Sequence, residues 1–220
     1  MLTRPSTAYL YVVARDFGFA PNPFHGYCTL ATCKPDIRRV AKVADWVVGM
    51  GGSRLNATGR CLFAMQVTET ATFDEYWADL RFRSKRPIRN GSRKSMVGDN
   101  IYRRAADGVT WLQEDSHHSR PDGAPDDYNV RADTRTDRVL ISERFVYLGR
   151  EAAVVPVDVL QALGYSNRRG HRSIDAENAR PLFDWLHASF ASKFNRVMGD
   201  PFDFDASGAR YSYKSDRVIA

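Results

Sequence analysis

The apolar residues of this chain fall in short runs separated by polar, turn-rich stretches. Ala8 to Ala14, rich in tyrosine and valine, reads as a first strand, and the Pro-, Asn- and Gly-rich segment after it must be a loop. Pro35 followed by Asp36, Ile37, Val40 and Ala41 predicts a short helix with proline in its first turn, where the missing N–H costs nothing. Trp46 to Gly49 reads as the second strand. Cys61 to Thr68 reads as a buried strand, and Thr72 as the N-cap of a short helix through Asp79. Asn100 to Arg103 and Val109 to Gln113 are short strands flanking the Asp107-Gly108 turn signal. Ser116 to Asp137 is polar and reads as a long excursion, and a loop of that length is more often functional or mobile than idle. Val139 to Leu148 is the last clear strand, and Pro156 opens a short helix that Gly164 ends. The strongest helical pattern starts near Pro181: Leu182, Phe183, Leu186, Phe190 and Phe194 form one apolar stripe. The tail from Gly199 reads as irregular.

Helices do not alternate regularly with these strands, and no phosphate-binding glycine pattern follows any of them. The fold expected is therefore α+β, a small mixed or antiparallel sheet with flanking helices and long polar loops, rather than a doubly wound sheet. The 220 residues suffice for one domain, with a core over about 8–165, a helical appendage over about 173–198 and a tail from 199 to 220. No run of eighteen apolar residues exists, and Met1-Leu2-Thr3-Arg4-Pro5 lacks the apolar stretch of a secretory signal, so a cytoplasmic protein without a membrane partner is expected. Three cysteines without an export signal argue for reduced thiols at Cys28, Cys33 and Cys61.

Net charge is +6, and arginine supplies 26 of the 32 basic residues. Arginine forks onto phosphate and stacks on bases, although a GC-rich genome accounts equally well for the global count. The local distribution says more: Leu80 to Arg104 holds nine basic residues against one acid, Asp99. Such a block is a solvated loop or the electrostatic footprint of a polyanion site.

The most distinctive stretch is Asn22-Pro23-Phe24-His25-Gly26-Tyr27-Cys28-Thr29-Leu30-Ala31-Thr32-Cys33-Lys34-Pro35, running on to Asp45-Trp46. Together with Ala14-Arg15-Asp16, Phe19-Ala20-Pro21, Ile37-Arg38, Asp99-Asn100-Ile101-Tyr102 and Asp115-Ser116-His117, it resembles the nucleotide modification associated domain 2 family. The resemblance spans roughly Tyr11 to Leu163 and implies a bacterial or phage protein linked to modification of nucleic-acid bases, with no settled reaction. One departure is visible: the family tends to place glycine before the Asp-Trp pair, where this chain has Ala44. A loop, a short helix, Asp-Trp and then a strand is also how PUA-like barrels enter their central strands, an analogy of fold that carries no chemistry.

Three constellations could carry chemistry. His25, Cys28 and Cys33 have the form H-x2-C-x4-C, with His117 or His118 as a distant fourth zinc ligand, but the usual C-x2-C knuckle is absent and no metal is assigned. Cys33 is alternatively a nucleophile, since Lys34, Arg38 and a helix start at Pro35 all favour thiolate; burial as a small apolar residue, the commonest fate of free cysteine, ranks ahead of both. The second constellation, Asp115-Ser116-His117-His118-Ser119, sits where a strand feeds the long polar loop, and its histidines suit proton transfer or phosphate binding. The third is Arg15-Asp16, either a structural ion pair or a pair matched to the Watson–Crick edge of a base. Trp46, Tyr76, Trp77 and Trp111 offer faces for stacking beside their default role in the core.

Two functions fit. One is a nucleic-acid or nucleotide binding module, with Arg15, Asp16, Asn22 and His25 around a base, Lys34, Arg38, Asn100 and Tyr102 completing the pocket, and Arg86, Arg89 and Arg93 on phosphates. The other is a transferase or hydrolase acting on a base or nucleotide, with Cys33 or His117 as nucleophile or base and Asp16 or Asp115 as its partner. The sequence names no cofactor, sets no oligomeric state, and does not choose among DNA, RNA and free nucleotide.

Overall fold

The strand expected from the first tyrosine- and valine-rich run forms at Ala8–Val13 and is buried over nearly all its length. In the computed structural model, which describes residues 6–219, it pairs parallel to Trp46–Gly51 and antiparallel to His171–Ile174. The reading of Met1-Leu2-Thr3-Arg4-Pro5 lies outside the described residues. From edge to edge the sheet runs His171–Ile174, Ala8–Val13, Trp46–Gly51, Arg60–Gln66, Arg144–Tyr147 and Arg196–Val197, with Ala153–Val154 also on Arg60–Gln66. It mixes parallel and antiparallel pairs and stays open, so the fold is α+β without closure into a barrel.

Two units divide the chain, and each is assembled from three separated segments. The first takes the chain up to Asp16, Ala41–Glu69 and Ser142–Phe202; the second takes Phe17–Val40, Thr70–Ile141 and the chain from Asp203 onward. The seven-stranded sheet belongs to the first unit. The helix Arg180–Phe190 packs there through Leu182, Leu186 and Phe190, against a core that includes Leu10, Trp46 and Val48. The apolar stripe thus sits in this unit's core, with Phe183 and Phe194 partly buried against it. Among the described residues no helix is long and apolar enough to cross a membrane.

The turn before Trp46 has a backbone that glycine would adopt without strain, where this chain has Ala44. Ala44 takes φ 77°, a conformation that costs a residue with a Cβ but not glycine. It is held because Ala44 N–H donates to Val67 O, while the buried Asp45 carboxylate accepts from the N–H groups of Thr7 and Lys42. Ala44→Gly is expected to raise stability by about 1 kcal/mol, read as a higher urea midpoint at unchanged slope; a lower midpoint would contradict it.

Val139 to Leu148, expected as one strand, is two. Val139–Ser142 lies between Cys28–Leu30 and Glu69–Ala71 in a three-stranded sheet, whereas Arg144–Tyr147 joins the seven-stranded one. The polar Ser142-Glu143-Arg144 interrupts the apolar run at the break, and the Glu143 N–H donates to Thr68 Oγ1.

The second unit has an aromatic core, including Phe17, Phe19, Phe24, Phe73, Tyr76 and Tyr102. Its helix Phe73–Ala78 starts at the expected cap, Thr72, which forms a reciprocal capping box with Glu75. Tyr102–Arg104 and Trp111–Gln113 make the expected hairpin. Elements additional to the expectation include a helix, Asp127–Asp133, inside the stretch read as polar loop, a short helix, Arg93–Met96, in the basic run, and a hairpin, Arg210–Ser212 with Arg217–Ile219, in the tail read as irregular.

Candidate thiol site

The proline-rich loop is anchored from beneath by buried charge. Lys85, the one member of the Arg-rich run that lies fully inside, donates to Asn22 O, Asn22 Oδ1 and Tyr27 O. Asn22 in turn donates to Val97 O. Nearby Asp99 accepts from the hydroxyls of Thr29 and Tyr76. Burial pulls the Lys85 ammonium down to about 8 against the attraction of Asp99, and burial raises the Asp99 carboxyl to about 6. Asn22 and Asn100 are therefore spent on the scaffold: Asn100 donates to the carbonyls of Tyr76 and Phe82.

What this frame presents is Cys33, half-buried, in a left-handed conformation at φ 56°, followed by Lys34 at φ 40°. Two successive non-glycine residues in that region cost on the order of 1–3 kcal/mol each and persist only where the surroundings fix them. Here both backbone polar groups of Cys33 are held by buried charged residues. Its N–H donates to Asp133 Oδ1 at 2.7 Å, and its carbonyl accepts from Arg38 Nε at 2.9 Å. Arg38, at 0% exposure on the short helix Pro35–Val40, spends the rest of its guanidinium on the carbonyls of Asp133, Thr136 and Arg138.

The Cys33 sulfur lies 3.8 Å from His118 Nε2, and His118 Nδ1 lies 2.7 Å from Asp133 Oδ2. The same carboxylate oxygen accepts from the Tyr102 hydroxyl at 2.9 Å, and Gln113 donates both to that hydroxyl and to His118 O. Asp133 comes from the unexpected helix Asp127–Asp133. Asp126 caps that helix through the N–H groups of Tyr128 and Asn129, and Asn129, one turn before Asp133 and so on the same face, donates to His118 O. The result is a thiol, an imidazole and an orienting carboxylate in line, the arrangement of nucleophile, base and third group used in covalent catalysis.

The adjacent histidines are driven in opposite directions. For His117 burial dominates, His118 beside it adds repulsion, and the imidazole falls to about 3; it sits against the rings of Phe17 and Phe19 and donates from Nδ1 to Ala209 O. Burial also works against charge on His118, but Asp133, with the Cys33 sulfur on the other side, overrides it and lifts the imidazole to about 10. A folded value above the ordinary 6.5 makes the interaction stabilising in full below about pH 6.5 and lost as pH climbs through 10. The stability difference between wild type and His118→Gln, from urea unfolding at several pH values, is thus expected to shrink from pH 6.5 to 10. A constant difference would contradict an imidazolium.

The other sequence-derived candidates are placed as follows. Asp115 pairs with Arg210 and Ser119 rather than with a histidine. His25 is exposed at a turn with φ 61°. Arg15 and Asp16 lie in the first unit, where Asp16 accepts from the Tyr147 hydroxyl and the Phe202 N–H. In the Arg-rich run, Arg86 stacks 3.7 Å over Trp77 and donates to Trp77 O, Arg89 donates to the carbonyls of Met96, Ser207 and Gly208, and Arg93 pairs with Asp205. Arg81, Arg83, Arg93 and Lys94 remain exposed. Trp46, Tyr76 and Trp77 are likewise engaged: Trp46 and Tyr76 in the cores, Trp77 between Arg86 and Arg103. Asp133, which completes the thiol site, is not singled out by the sequence, whereas His118 is named there as a distant zinc ligand for Cys33 and as half of the histidine pair.

Among the described residues, Cys33, His118 and Asp133 are the set that could hold a metal ion, their ligand atoms lying within 4.8 Å of one another. Asp133, however, is already engaged by Cys33 N–H, His118 Nδ1 and Tyr102, which leaves the sulfur and His118 Nε2 facing each other, fewer than the three or four ligands of a zinc site. His25 and Cys28 do not join the cluster. Cys28 and Cys61 are fully buried, and burial raises both thiols, Cys61 to about 12.

No curated protein and no solved structure matches the chain. The family model described as nucleotide modification associated domain 2 matches residues 5–208, a span that holds Cys33, His118 and Asp133. The chain therefore belongs to the nucleotide modification associated domain 2 family, whose name ties it to nucleotide modification.

Proposed function

We propose that this chain is an enzyme of nucleotide modification in which the Cys33 sulfur attacks an electrophilic carbon of a nucleobase or of a substituent on it. The observation that carries this reading is the clamped, left-handed Cys33, facing an imidazole that a buried carboxylate orients. Protein scaffolds seldom hold a residue in that conformation with two buried charges unless its position matters. In the reaction a C–S bond forms and the bond to the leaving group breaks. His118 passes its Nε2 proton to the departing atom, then takes one from the acceptor, water or a second nucleophile, whose attack releases Cys33. Asp133 keeps the imidazole in the required orientation throughout. Phosphates of the substrate would meet the exposed side of the Arg-rich run, where Arg93 is half-exposed beside Asp205.

Binding without turnover remains the competing reading, and it rests on the same run of arginines. Mass spectrometry of nucleosides from DNA and RNA separates the two: cells expressing the chain are expected to show a nucleoside altered in mass or abundance, and cells expressing Cys33→Ser to match cells without it. Identical profiles for wild type and Cys33→Ser would leave binding as the function.

A further inference from the structure

The hairpin Arg210–Ser212 with Arg217–Ile219 reaches the thiol site at several points within the second unit. Arg210 bonds Asp115, Ser116 O and Ser119, and Tyr211 N–H donates to His117 O. Asn129, whose helix carries Asp133, donates to Tyr211 O and accepts from Tyr213 N–H at 2.9 Å. These bonds set the Tyr213 ring edge-on to His118, with centroids 5.3 Å apart, and bring its phenol beside the Cys33 sulfur that faces the same imidazole. The family match ends at residue 208, before this hairpin begins.

We propose that Tyr213 is a fourth residue of the thiol site, a phenol that donates a hydrogen bond to the Cys33 sulfur and favours its thiolate, supplied by a hairpin lying beyond the part of the chain that the family model matches. The proposal rests on the reading of Cys33 as nucleophile. A thiolate between an imidazolium and a phenol keeps two donors on the sulfur, which holds it for reaction and covers it until substrate displaces the hydroxyl. Burial and the charges of Cys33 and Asp133 raise the phenol well above its ordinary value, so it stays protonated and able to donate at physiological pH.

The groups facing the sulfur are His118 and Asp133, Tyr102 from the strand Tyr102–Arg104, Arg38 from the helix after the loop, and Tyr213. The test is the pH profile of Cys33 alkylation by iodoacetamide in the full chain, read by peptide mass spectrometry. Tyr213→Phe keeps the ring against His118 and removes only the hydroxyl; the midpoint is expected to rise by about one pH unit, the worth of a charge-assisted hydrogen bond. Tyr211→Phe, which alters the same hairpin at a hydroxyl bonded to Asp216, is expected to leave the midpoint in place. An unmoved profile in Tyr213→Phe, or an equal shift in Tyr211→Phe, overturns the proposal. If His118→Gln shifts the profile while Tyr213→Phe does not, Tyr213 alone is refuted. If neither variant shifts it, the nucleophile reading fails with it.

Discussion

Cys33→Ser is expected to lower turnover on a nucleotide substrate by a factor on the order of 10⁴ or more, with an unchanged urea midpoint. A hydroxyl fits where the thiol sat, because the position is half-buried and its backbone bonds to Asp133 and Arg38 do not involve the side chain. Asp133→Asn should approach the same loss while retaining Cys33, since an amide cannot accept from Cys33 N–H, His118 and Tyr102 as a carboxylate does. Thiol labelling supplies an independent check before any substrate is known. Iodoacetamide at neutral pH should modify Cys33 and spare Cys28 and Cys61, both at 0% exposure. Labelling of all three at one rate, or retained turnover in Cys33→Ser, would refute the thiol mechanism.

Arg38→Ala is expected to cost about 3–5 kcal/mol, the range for leaving buried charged and polar partners unmatched. One guanidinium serves four carbonyls, those of Cys33, Asp133, Thr136 and Arg138, and its plane lies 5.4 Å over the Phe73 ring. Removing it strips the clamp from Cys33 and the support from the end of the helix carrying Asp133, so stability and thiol reactivity should fall together. Chemical denaturation of the Ala and Lys variants measures this; lysine keeps the charge but not the planar fork and should recover only part of the loss. A variant within about 1 kcal/mol of wild type would refute the clamp as a source of stability.

The parts of the fold legible in the sequence were those where local chemistry and tertiary context agree. Thr72 announced its helix because the capping box is a property of four neighbouring residues, and Leu182, Leu186 and Phe190 announced theirs because one face is buried. The break at Glu143 had a local sign in the polar Ser142-Glu143-Arg144 between two buried runs, but nothing local says that the two halves join different sheets. Of the site, Cys33 and the histidine pair could be named from charge and motif. Asp133 could not, because its helix is short and polar; Asp126 before Tyr128, Asn129 and Val130 was the only local sign, a cap without an apolar stripe. The choice of His118 over His117 depended on contacts with residues 15 positions ahead and 85 behind, which no local pattern records. Lys34 and Arg38 were read as electrostatic neighbours of the thiol, whereas Arg38 acts on it through the backbone.

The interleaving of the two units sets when the protein becomes competent. Cys33 is made before Asp133, and Asp133 before the segment from Asp203 onward with Arg210 and Tyr213, while the first unit waits for its strands and helix beyond Ser142. Each unit draws on segments that lie on both sides of a segment of the other, so the nascent protein cannot build one module and then the other in the usual N-to-C order. The proposed thiol site is thus complete only once the segment carrying Arg210 and Tyr213 has been made, and a product that stops before that segment lacks it.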